Sequence, residues 1–301
     1  MPIHLSQISR RQFLRRTFAA GTAAAFAPHL FAETKSVDPH RWIFLSDTHI
    51  AADKKSVQRG ANMAENLARA TREIAALDTR PSAFLVNGDC AFNTGELADY
   101  AAFTVIISPL RTIAPLHLTL GNHDHREHFW NAVSDVAKDA RPVEDHHVSL
   151  VRSPRANWFL LDTLEKTNST PGILGEAQLA WLEKSLDANA DKPAIIVGHH
   201  NLQNADEKGA LKDTTQLLKI LEPRRHVKAY IFGHTHHWSN ETHASGIHLI
   251  NLPPIAYLFK ATDPNGWVTA DLKSDGVNLR LQCFDETHSA NQQKVELKWR
   301  A

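Results

Sequence analysis

The sequence predicts an α/β fold organised around a largely parallel β-sheet. Short apolar runs, such as 42–45 and 83–86, alternate with longer segments of helical periodicity, such as 61–77. This alternation is typical of βαβ units. Five of the apolar runs end in a cluster of polar residues, and most of these clusters follow a glycine. Functional residues of such sheets gather beyond the carboxyl ends of the strands, so we expect these clusters to lie close together.

The first half of the chain supplies three of these strands in succession. Strands are predicted at 41–46, 83–86 and 116–120, and helices at 61–77 and 95–107. Pro81 separates the first helix from the strand that follows it, because proline interrupts helical hydrogen bonding. Glu96 and Asp99 lie near the start of the second helix, where the helix dipole favours acidic side chains.

The second half is predicted to be less parallel. A hairpin is expected from 147–151 and 158–162, with its turn near 153–156. Further strands are predicted at 194–197 and 227–232, helices at 176–186 and 213–221, and antiparallel strands at 247–252, 267–272 and 277–284. No internal repeat or linker interrupts 38–285, which is predicted to be one domain, and the polar stretch 286–301 is predicted to be a C-terminal tail.

The amino terminus has the pattern of an export signal. The run Ser9-Arg10-Arg11-Gln12-Phe13-Leu14 matches the twin-arginine motif, and an alanine-rich run without acidic residues follows it. The apolar run is shorter than the roughly 20 residues that a permanent membrane span needs. Residues 1–32 are therefore predicted to be a signal peptide cleaved after Ala32. The twin-arginine machinery is the expected partner, and the mature protein is expected in the periplasm or otherwise outside the cytoplasm.

Composition excludes some classes of protein. Residues 1–32 hold four basic and no acidic residues, so the remainder carries 29 basic and 33 acidic residues and has no evident nucleic-acid-binding surface. The two cysteines, Cys90 and Cys283, are too few for a disulfide framework. Histidine is unusually abundant, with 19 residues.

The strand ends carry side chains that can bind metal ions. These candidate ligands are Asp47, His49, Asp89, Asn122, His199, His234 and His236. Carboxylate, amide and imidazole ligands together suit first-row divalent metals or iron better than calcium. Seven ligands are too many for one tetrahedral ion, but they suit two ions that share Asp89 as a bridge.

The same segments resemble a known family. Asp47-x-His49, Gly88-Asp89, Gly121-Asn122-His123-Asp124, Gly198-His199-His200 and Gly233-His234-x-His236 resemble the five motifs of the calcineurin-like metallophosphoesterases, in the family's order. The details look most like the bacterial cyclic-nucleotide phosphodiesterase branch. The resemblance covers about residues 41–240. It implies a four-layer αββα sandwich, in which two mixed β-sheets are flanked by helices.

The resemblance also implies a role for each residue. One ion would be held by Asp47, His49, Asp89 and His236, and the other by Asp89, Asn122, His199 and His234. Manganese, iron and zinc all fit these ligands. His123 would be the catalytic histidine that binds no metal. His200 would either contact substrate or support the metal ligands.

The chemistry expected of such a site is phosphoester hydrolysis. Two cations about 3.5–4 Å apart can bind phosphoryl oxygens and lower the pKa of a bridging water. The resulting hydroxide would attack phosphorus in line with the leaving oxygen. His123 would stabilise the developing charge or protonate the leaving group. The expected substrate is a small phosphodiester, including cyclic nucleotides, and export favours a scavenging or envelope role.

One position departs from the family pattern. The family often has an aspartate three residues after the bridging aspartate, where it orients the catalytic histidine, but Phe92 stands there in this chain. An iron-binding tyrosine, found at that position in purple acid phosphatases, is absent too. Asn93 or a backbone carbonyl could orient His123 instead. Cys90 beside the site is predicted to be a small buried residue.

Three other functions compete with phosphodiester hydrolysis. The first is phosphomonoester hydrolysis at the same site. The second is a metal-binding scaffold of the same fold without catalysis, against which the full ligand set and His123 argue. The third is a β-lactamase-like metallohydrolase, but the His-x-His-x-Asp-His run expected there is absent.

Overall fold

The computed structural model describes residues 4–5, 35–133, 141–203 and 209–301. The predicted export segment 1–32 therefore lies outside the described residues, apart from the two-residue strand at His4–Leu5. Within the described ranges, no helix is both long and apolar enough to cross a membrane.

The described chain forms fifteen strands, five α-helices and one 3₁₀ helix. The strands are β1 (His4–Leu5), β2 (Val37–Ser46), β3 (Val57–Gln58), β4 (Ala61–Asn62), β5 (Arg80–Asn87), β6 (Leu116–Thr119), β7 (Ser149–Arg152), β8 (Asn157–Leu160), β9 (Ala194–Val197), β10 (Val227–Phe232), β11 (Ser239–Thr242), β12 (His248–Asn251), β13 (Gly266–Leu272), β14 (Gly276–Cys283) and β15 (Lys294–Lys298). The helices are α1 (Met63–Ala76), α2 (Leu97–Ile107), α3 (Arg126–Ala132), α4 (Gly175–Asp187) and α5 (Thr214–Leu221), and the 3₁₀ helix is Ser108–Thr112.

The strands form two large mixed sheets and a separate β3–β4 hairpin. The first sheet has seven strands in the order β1-β6-β5-β2-β13-β14-β15, with β6, β5 and β2 parallel. The second has six strands in the order β11-β12-β10-β9-β8-β7, with β12, β10, β9 and β8 parallel. Antiparallel strands lie at the edges of both sheets.

Alternating side chains along the strands divide the molecule into layers. In β2, Ile43 and Leu45 pack against the core under α1, α2 and α3, whereas Trp42 and Phe44 face the core between the sheets. This alternation follows from the two-residue period of a strand. The rings of Trp42 and Trp158 stack across the two sheets with centroids 4.0 Å apart. Helices α4 and α5 cover the outer face of the second sheet. The predicted four-layer arrangement of two mixed sheets between helices is confirmed.

Two features of the second half differ from the sequence-based expectation. Strand β12 was expected to be antiparallel, but it runs parallel to β10 and is antiparallel only to the edge strand β11. Strands β13 and β14 return to the first sheet, where β13 pairs with β2. Alternation alone does not specify the partner of a strand, because that choice depends on contacts distant in sequence.

The stretch 286–301, predicted to be a polar tail, contributes a strand to the first sheet. Within it, β15 pairs antiparallel with β14, with Val277 opposite Leu297. Val295 and Leu297 pack against the core between the sheets, while the lysine and glutamate residues between them point to solvent. The exposed side chains of β15 account for the polar composition of this stretch, so the composition alone does not reveal the strand's apolar face.

His147 is a buried histidine outside the strand-end clusters. Its ring stacks on Trp130 with centroids 4.1 Å apart, and neither ring nitrogen has a hydrogen-bond partner among the described residues. Burial lowers the pKa of His147 to about 3. The Asp162 carboxylate acts to raise this pKa, and the Arg126 and Arg141 cations act to lower it further. The ring is therefore neutral in the native protein at neutral pH.

We expect His147 to make the protein less stable in acid. Its pKa rises from about 3 in the native state to its ordinary value of 6.5 on unfolding, so the unfolded chain binds more protons between these values. The free energy of unfolding should fall as the pH falls through this window, by at most about 1.4 kcal/mol per pH unit from this group. The free energy of unfolding, measured with urea from pH 7 to pH 4, should decline less steeply for His147→Phe than for the wild-type protein. Equal slopes for the two proteins would contradict this expectation.

Candidate metal centre

Both sheets deliver candidate ligands to one place. Asp47 and His49 follow β2, Asp89 follows β5, and Asn122 follows β6, all in the first sheet. In the second sheet, His199 follows β9, and His234 and His236 follow β10. The carboxyl ends of the parallel strands of both sheets therefore meet at the same edge of the sandwich, which is where the sequence predicted a site.

The backbone at these strand ends is unusual. Five of the candidate ligands adopt positive φ without being glycine: Asp47, His49, Asp89, His234 and His236. Such left-handed conformations are uncommon for residues with a Cβ and cluster at functional sites. They turn the chain sharply at the end of a strand. Each turn directs a polar side chain into the shared pocket instead of along the strand.

Asp89 lies at the centre of the cluster. Its Oδ2 is 3.5 Å from His49 Nε2 and 3.3 Å from His199 Nε2, while its Oδ1 accepts a hydrogen bond of 2.8 Å from the backbone N–H of His123. A Cβ added at Gly121 would overlap the Asp89 carboxylate. Glycine is thus required at position 121 by this close approach, which explains the residue that precedes Asn122.

The loops around Asp89 are joined by a second buried carboxylate. Asp124 accepts hydrogen bonds from the backbone N–H groups of Cys90 and Gly121 and from the hydroxyl of Tyr100. It thereby fixes the loop after β5 to the loop after β6. Cys90 is fully buried, as predicted, and burial raises the pKa of its thiol well above the ordinary value.

The ligand atoms form three compact groups. In each group all the atoms lie within 4.8 Å of one another. The groups are Asp47, His49 and His236; Asp89, His199 and His234; and His49, Asp89 and His123. The first two contain residues that the family resemblance assigned to the two metal positions. Asp89 also lies within reach of the first position, since it belongs to the group with His49.

Burial sets the protonation of these groups. Desolvation lowers the pKa of His49 well below its usual value and that of His234 to about 3, so both rings are neutral at pH 7. Burial acts to raise the pKa of Asp89, but the neighbouring His199 and His49 imidazoles lower it well below its usual range. Burial acts to lower the pKa of His199, but the Asp89 and Asp47 carboxylates raise it to about 9. Because metals bind the neutral imidazole, His199 would release a proton when it binds a metal ion.

Backbone carbonyls fix the orientation of the imidazole rings. His236 donates from Nδ1 to Tyr257 O at 2.6 Å, and His199 donates from Nδ1 to Asn87 O at 3.0 Å. His234 donates from Nε2 to Gly209 O at 3.1 Å. Because a carbonyl can only accept, each bond determines which ring nitrogen carries the proton. In the neutral ring the other nitrogen then carries a lone pair that can bind a metal ion, which is the usual arrangement of metal-binding histidines.

Two buried polar atoms support the fit to metal ions. Asn122 Oδ1 is buried and has no hydrogen-bond partner among the described residues. The buried Nε2 of His199 faces the carboxylates of Asp89 and Asp47, at 3.3 and 3.8 Å. Leaving an atom such as Asn122 Oδ1 unpaired costs about 1–3 kcal/mol. A cation at this place would be coordinated by both atoms. The donors present, which are imidazole nitrogens and carboxylate and amide oxygens, fit a first-row divalent ion.

His123 is positioned differently from these ligands. Its Nδ1 donates to the backbone carbonyl of Asn93 at 2.8 Å, and Asn93 itself has a positive φ of 50°. The backbone carbonyl, and not the Asn93 side chain, therefore replaces the orienting aspartate of the family pattern. Phe92, at the position of that aspartate, packs against the core beneath the helices. The free Nε2 of His123 is available to the pocket.

His200 lies behind the site. It is fully buried, its Nδ1 is 2.7 Å from the hydroxyl of Thr163, and its ring packs against His234 with centroids 4.5 Å apart. It is not among the residues that line the cavity over the ligands. This position favours support of His234 over contact with substrate, which were the two roles left open for His200.

Four residues that the sequence analysis did not select line the same cavity of 210 Å³: Asn168, Thr170, Tyr257 and Phe259. The ring of Tyr257 packs against His49 with centroids 5.0 Å apart, and the ring of Phe259 stacks on His236 at 4.1 Å. All four lie on loops without periodicity or glycine-rich motifs. No local signal in the sequence marks them, because only the tertiary fold brings these loops to the strand ends.

Comparison with known proteins defines the class. The sequence profile of the family described as calcineurin-like phosphoesterase matches residues 40–238, a segment that contains all five strand-end clusters. The chain therefore belongs to the calcineurin-like phosphoesterase family. It is a metal-dependent phosphoric ester hydrolase by this membership, by its relatives and by its candidate ligands.

Several bacterial relatives act on phosphodiesters according to their names. A probable cyclic nucleotide phosphodiesterase of Rhodopseudomonas palustris is 34% identical over 163 residues, which are 53% of this chain and 57% of that protein. The 3′,5′-cyclic adenosine monophosphate phosphodiesterase CpdA of Escherichia coli is 25% identical over 78% of this chain and 86% of its own length. The glycerophosphodiester phosphodiesterase GpdQ of Enterobacter lignolyticus is 25% identical over 64% of this chain and 69% of its own length.

A solved structure shares the fold. A dimetal phosphatase from Danio rerio superposes with a TM-score of 0.66 at 16% sequence identity, covering 87% of this chain and all of that one. At this identity the likeness concerns the fold alone. It agrees with the arrangement of two mixed sheets flanked by helices.

Replacing His123 should separate metal binding from catalysis. We expect His123→Ala to retain its metal content and to lose phosphoester turnover by about 10²- to 10⁴-fold, the range for loss of a general acid or base. Metal per chain can be measured by inductively coupled plasma mass spectrometry, and turnover with a chromogenic ester. His146→Ala is the matched control, since His146 is a half-buried histidine outside the site.

Two results would contradict the role assigned to His123. Loss of metal in His123→Ala would make this residue a ligand, as its proximity to His49 and Asp89 permits. Turnover at the parent rate with full metal content would exclude it from the chemistry.

Proposed function

We propose that the protein is an exported phosphodiesterase that uses two metal ions to hydrolyse small phosphodiesters. The observation that supports this proposal is the position of Asp89, whose carboxylate shares one compact group of candidate ligand atoms with His199 and His234 and reaches the other group through His49. One group is Asp47, His49 and His236, and the other is His199 and His234. A carboxylate between two such groups is suited to bridge two ions. Asn122 would complete the second position.

Bound ions and side chains of the protein would have different roles in hydrolysis. Bound ions would supply charge neutralisation at the phosphoryl oxygens and activation of a water molecule. His123 presents its Nε2 to the pocket while the Asn93 carbonyl fixes its ring. In this orientation, when the His123 ring carries a second proton on Nε2, it would donate a hydrogen bond to a phosphoryl oxygen or transfer that proton to the leaving oxygen. Tyr257 forms one side of the cavity and packs its ring against His49 and His236.

Two observations favour diesters over monoesters. Among the described residues, no lysine or arginine lines the cavity over the candidate ligands. A monoester carries about two negative charges at neutral pH and a diester carries one, so a diester needs less neutralisation beyond the ions themselves. The relatives from Rhodopseudomonas palustris, Escherichia coli and Enterobacter lignolyticus are named as phosphodiesterases. Cyclic nucleotides and other small phosphodiesters are therefore the candidate substrates.

A comparison of two chromogenic esters tests this function. The protein, stripped of metal by a chelator and then refilled with manganese, iron or zinc, is expected to hydrolyse bis-p-nitrophenyl phosphate faster than p-nitrophenyl phosphate. The metal that restores the highest rate would identify the preferred ion. Faster hydrolysis of the monoester would make the protein a phosphomonoesterase. No hydrolysis with any metal, despite bound ions, would favour a non-catalytic metal-binding scaffold.

Export by the twin-arginine machinery is the second part of the proposal. It is supported by the paired arginines at 10 and 11, the alanine-rich run after them and the small residues around Ala32. This machinery moves folded proteins, so the metal ions could be acquired before export. Changing both arginines to lysine should leave the uncleaved protein in the cytoplasm, as seen by fractionation and immunoblotting. Unchanged export of the variant would contradict this route.

A further inference from the structure

Phe259 occupies an unusual position for a large aromatic residue. It is 48% exposed, although burial of an apolar side chain of this size normally stabilises the folded state. One face of its ring is stacked on His236, with centroids 4.1 Å apart and an angle of 9° between the planes. The ring is thus held in a fixed orientation next to a candidate metal ligand, while much of it stays open to solvent.

Phe259 joins two neighbouring spaces. It lines the 210 Å³ cavity over the candidate ligands, and it also lines an adjoining groove of 540 Å³. The groove falls within the size range of small-molecule sites. Its walls carry amide and hydroxyl groups from Asn201, Gln203 and Thr235, and the amine of Lys260. A phosphoester bound at the metal centre could therefore extend its organic group past Phe259 into this groove.

Arg59 lies over the same ring. It stands at the tip of the β3–β4 hairpin, where Arg59 and Gly60 have φ values of 48° and 82°, as two-residue hairpin turns require. Its guanidinium carbon is 5.1 Å from the centroid of the Phe259 ring. Among the described residues, Arg59 forms no ion pair with a carboxylate. An exposed planar cation without an acidic partner can move aside for another planar group, or stack upon it.

We propose that Phe259 and Arg59 form a recognition site for the nucleobase of a nucleoside phosphodiester. The base would stack on the open part of the Phe259 ring, Arg59 would close over the base, and the polar walls of the groove would contact its edges. An aliphatic alcohol group such as glycerol has no π-face to stack. This site would therefore select nucleotide substrates over glycerophosphodiesters, which are the two classes named among the relatives. The inference rests on the proposed function, since it concerns the organic group of the same substrate.

The proposal can be tested by equilibrium binding, which requires no turnover. The ligands are adenosine 5′-monophosphate and glycerol 3-phosphate, which share a phosphate and differ in the organic group. Affinities for the metal-loaded protein would be measured by calorimetry, and chromatography would check that the ligands remain intact. If either ligand is consumed, the preference between the two ligands is measured instead as the ratio of their kcat/KM values.

Phe259→Leu is the decisive variant, because leucine keeps an apolar cover on His236 and removes the aromatic ring. We expect its affinity for adenosine monophosphate to fall about 5- to 100-fold, the range for a lost base–aromatic stack, with less than a twofold change for glycerol phosphate. Phe259→Trp should preserve the preference. Phe284→Leu is the matched control, since Arg69 lies over the Phe284 ring at the same 5.1 Å but outside this groove.

Arg59→Lys tests the second member of the site. It keeps the charge and removes the planar guanidinium, so adenosine monophosphate should bind about 2- to 5-fold more weakly. An unchanged affinity would remove Arg59 from the site.

Two outcomes for Phe259→Leu would overturn the proposal. Equal losses for both ligands would show that Phe259 acts only by supporting His236. An unchanged preference would show that no base stacks there. Both are distinct from failure of the proposed function, which would appear as intact diesters after incubation with the metal-loaded wild-type protein.

Discussion

The burial of Asp89 between two sets of imidazoles is the constraint on which the rest of the site depends. A carboxylate removed from water is costly unless it is paired, and here Asp47 is buried in the same pocket. Repulsion between the two carboxylates adds to this cost, so the cluster is most stable when cations lie between its members. The close approach of Gly121, the left-handed turns at the strand ends and the carbonyls that orient the histidines all serve to hold these groups in place.

This arrangement explains why two sheets are needed. The first sheet alone would supply Asp47, Asp89 and Asn122, which are oxygen donors, and His49 as its one imidazole. The second sheet brings His199 and His234 to the same edge, and the Trp42–Trp158 contact helps to fix the separation of the layers. The ligands are thus rigidly placed by strands, while Phe259 and Arg59 lie on the loop and hairpin around them. In the proposed function, metal binding and substrate selection would therefore depend on different parts of the fold.

Much of this could be predicted from the sequence, for physical reasons. Buried parallel strands appear as apolar runs, and polar residues directly after them mark the functional edge of the sheet. The places of the candidate ligands in the fold, from Asp47 after the first such strand to His236 after the last, were therefore predictable. The direction of β12 and the membership of β15 were not, because pairing depends on partners distant in the chain. The backbone carbonyl of Asn93 orients His123, but a contact made by the backbone cannot be recognised from the type of side chain in the sequence. The contribution of Tyr257 and Phe259 to the cavity could not be predicted either, since only the tertiary fold brings their loop to the site.

Whether Asp89 can bridge two metal ions can be measured by anomalous X-ray diffraction from crystals of the manganese-loaded protein, with data collected at the manganese edge. If Asp89 is a bridge, the anomalous map should show two peaks about 3.5–4 Å apart, with Asp89 between them. One peak should lie beside Asp47, His49 and His236, and the other beside Asn122, His199 and His234. A single fully occupied peak, or two peaks of which only one contacts Asp89, would contradict the bridging role of Asp89.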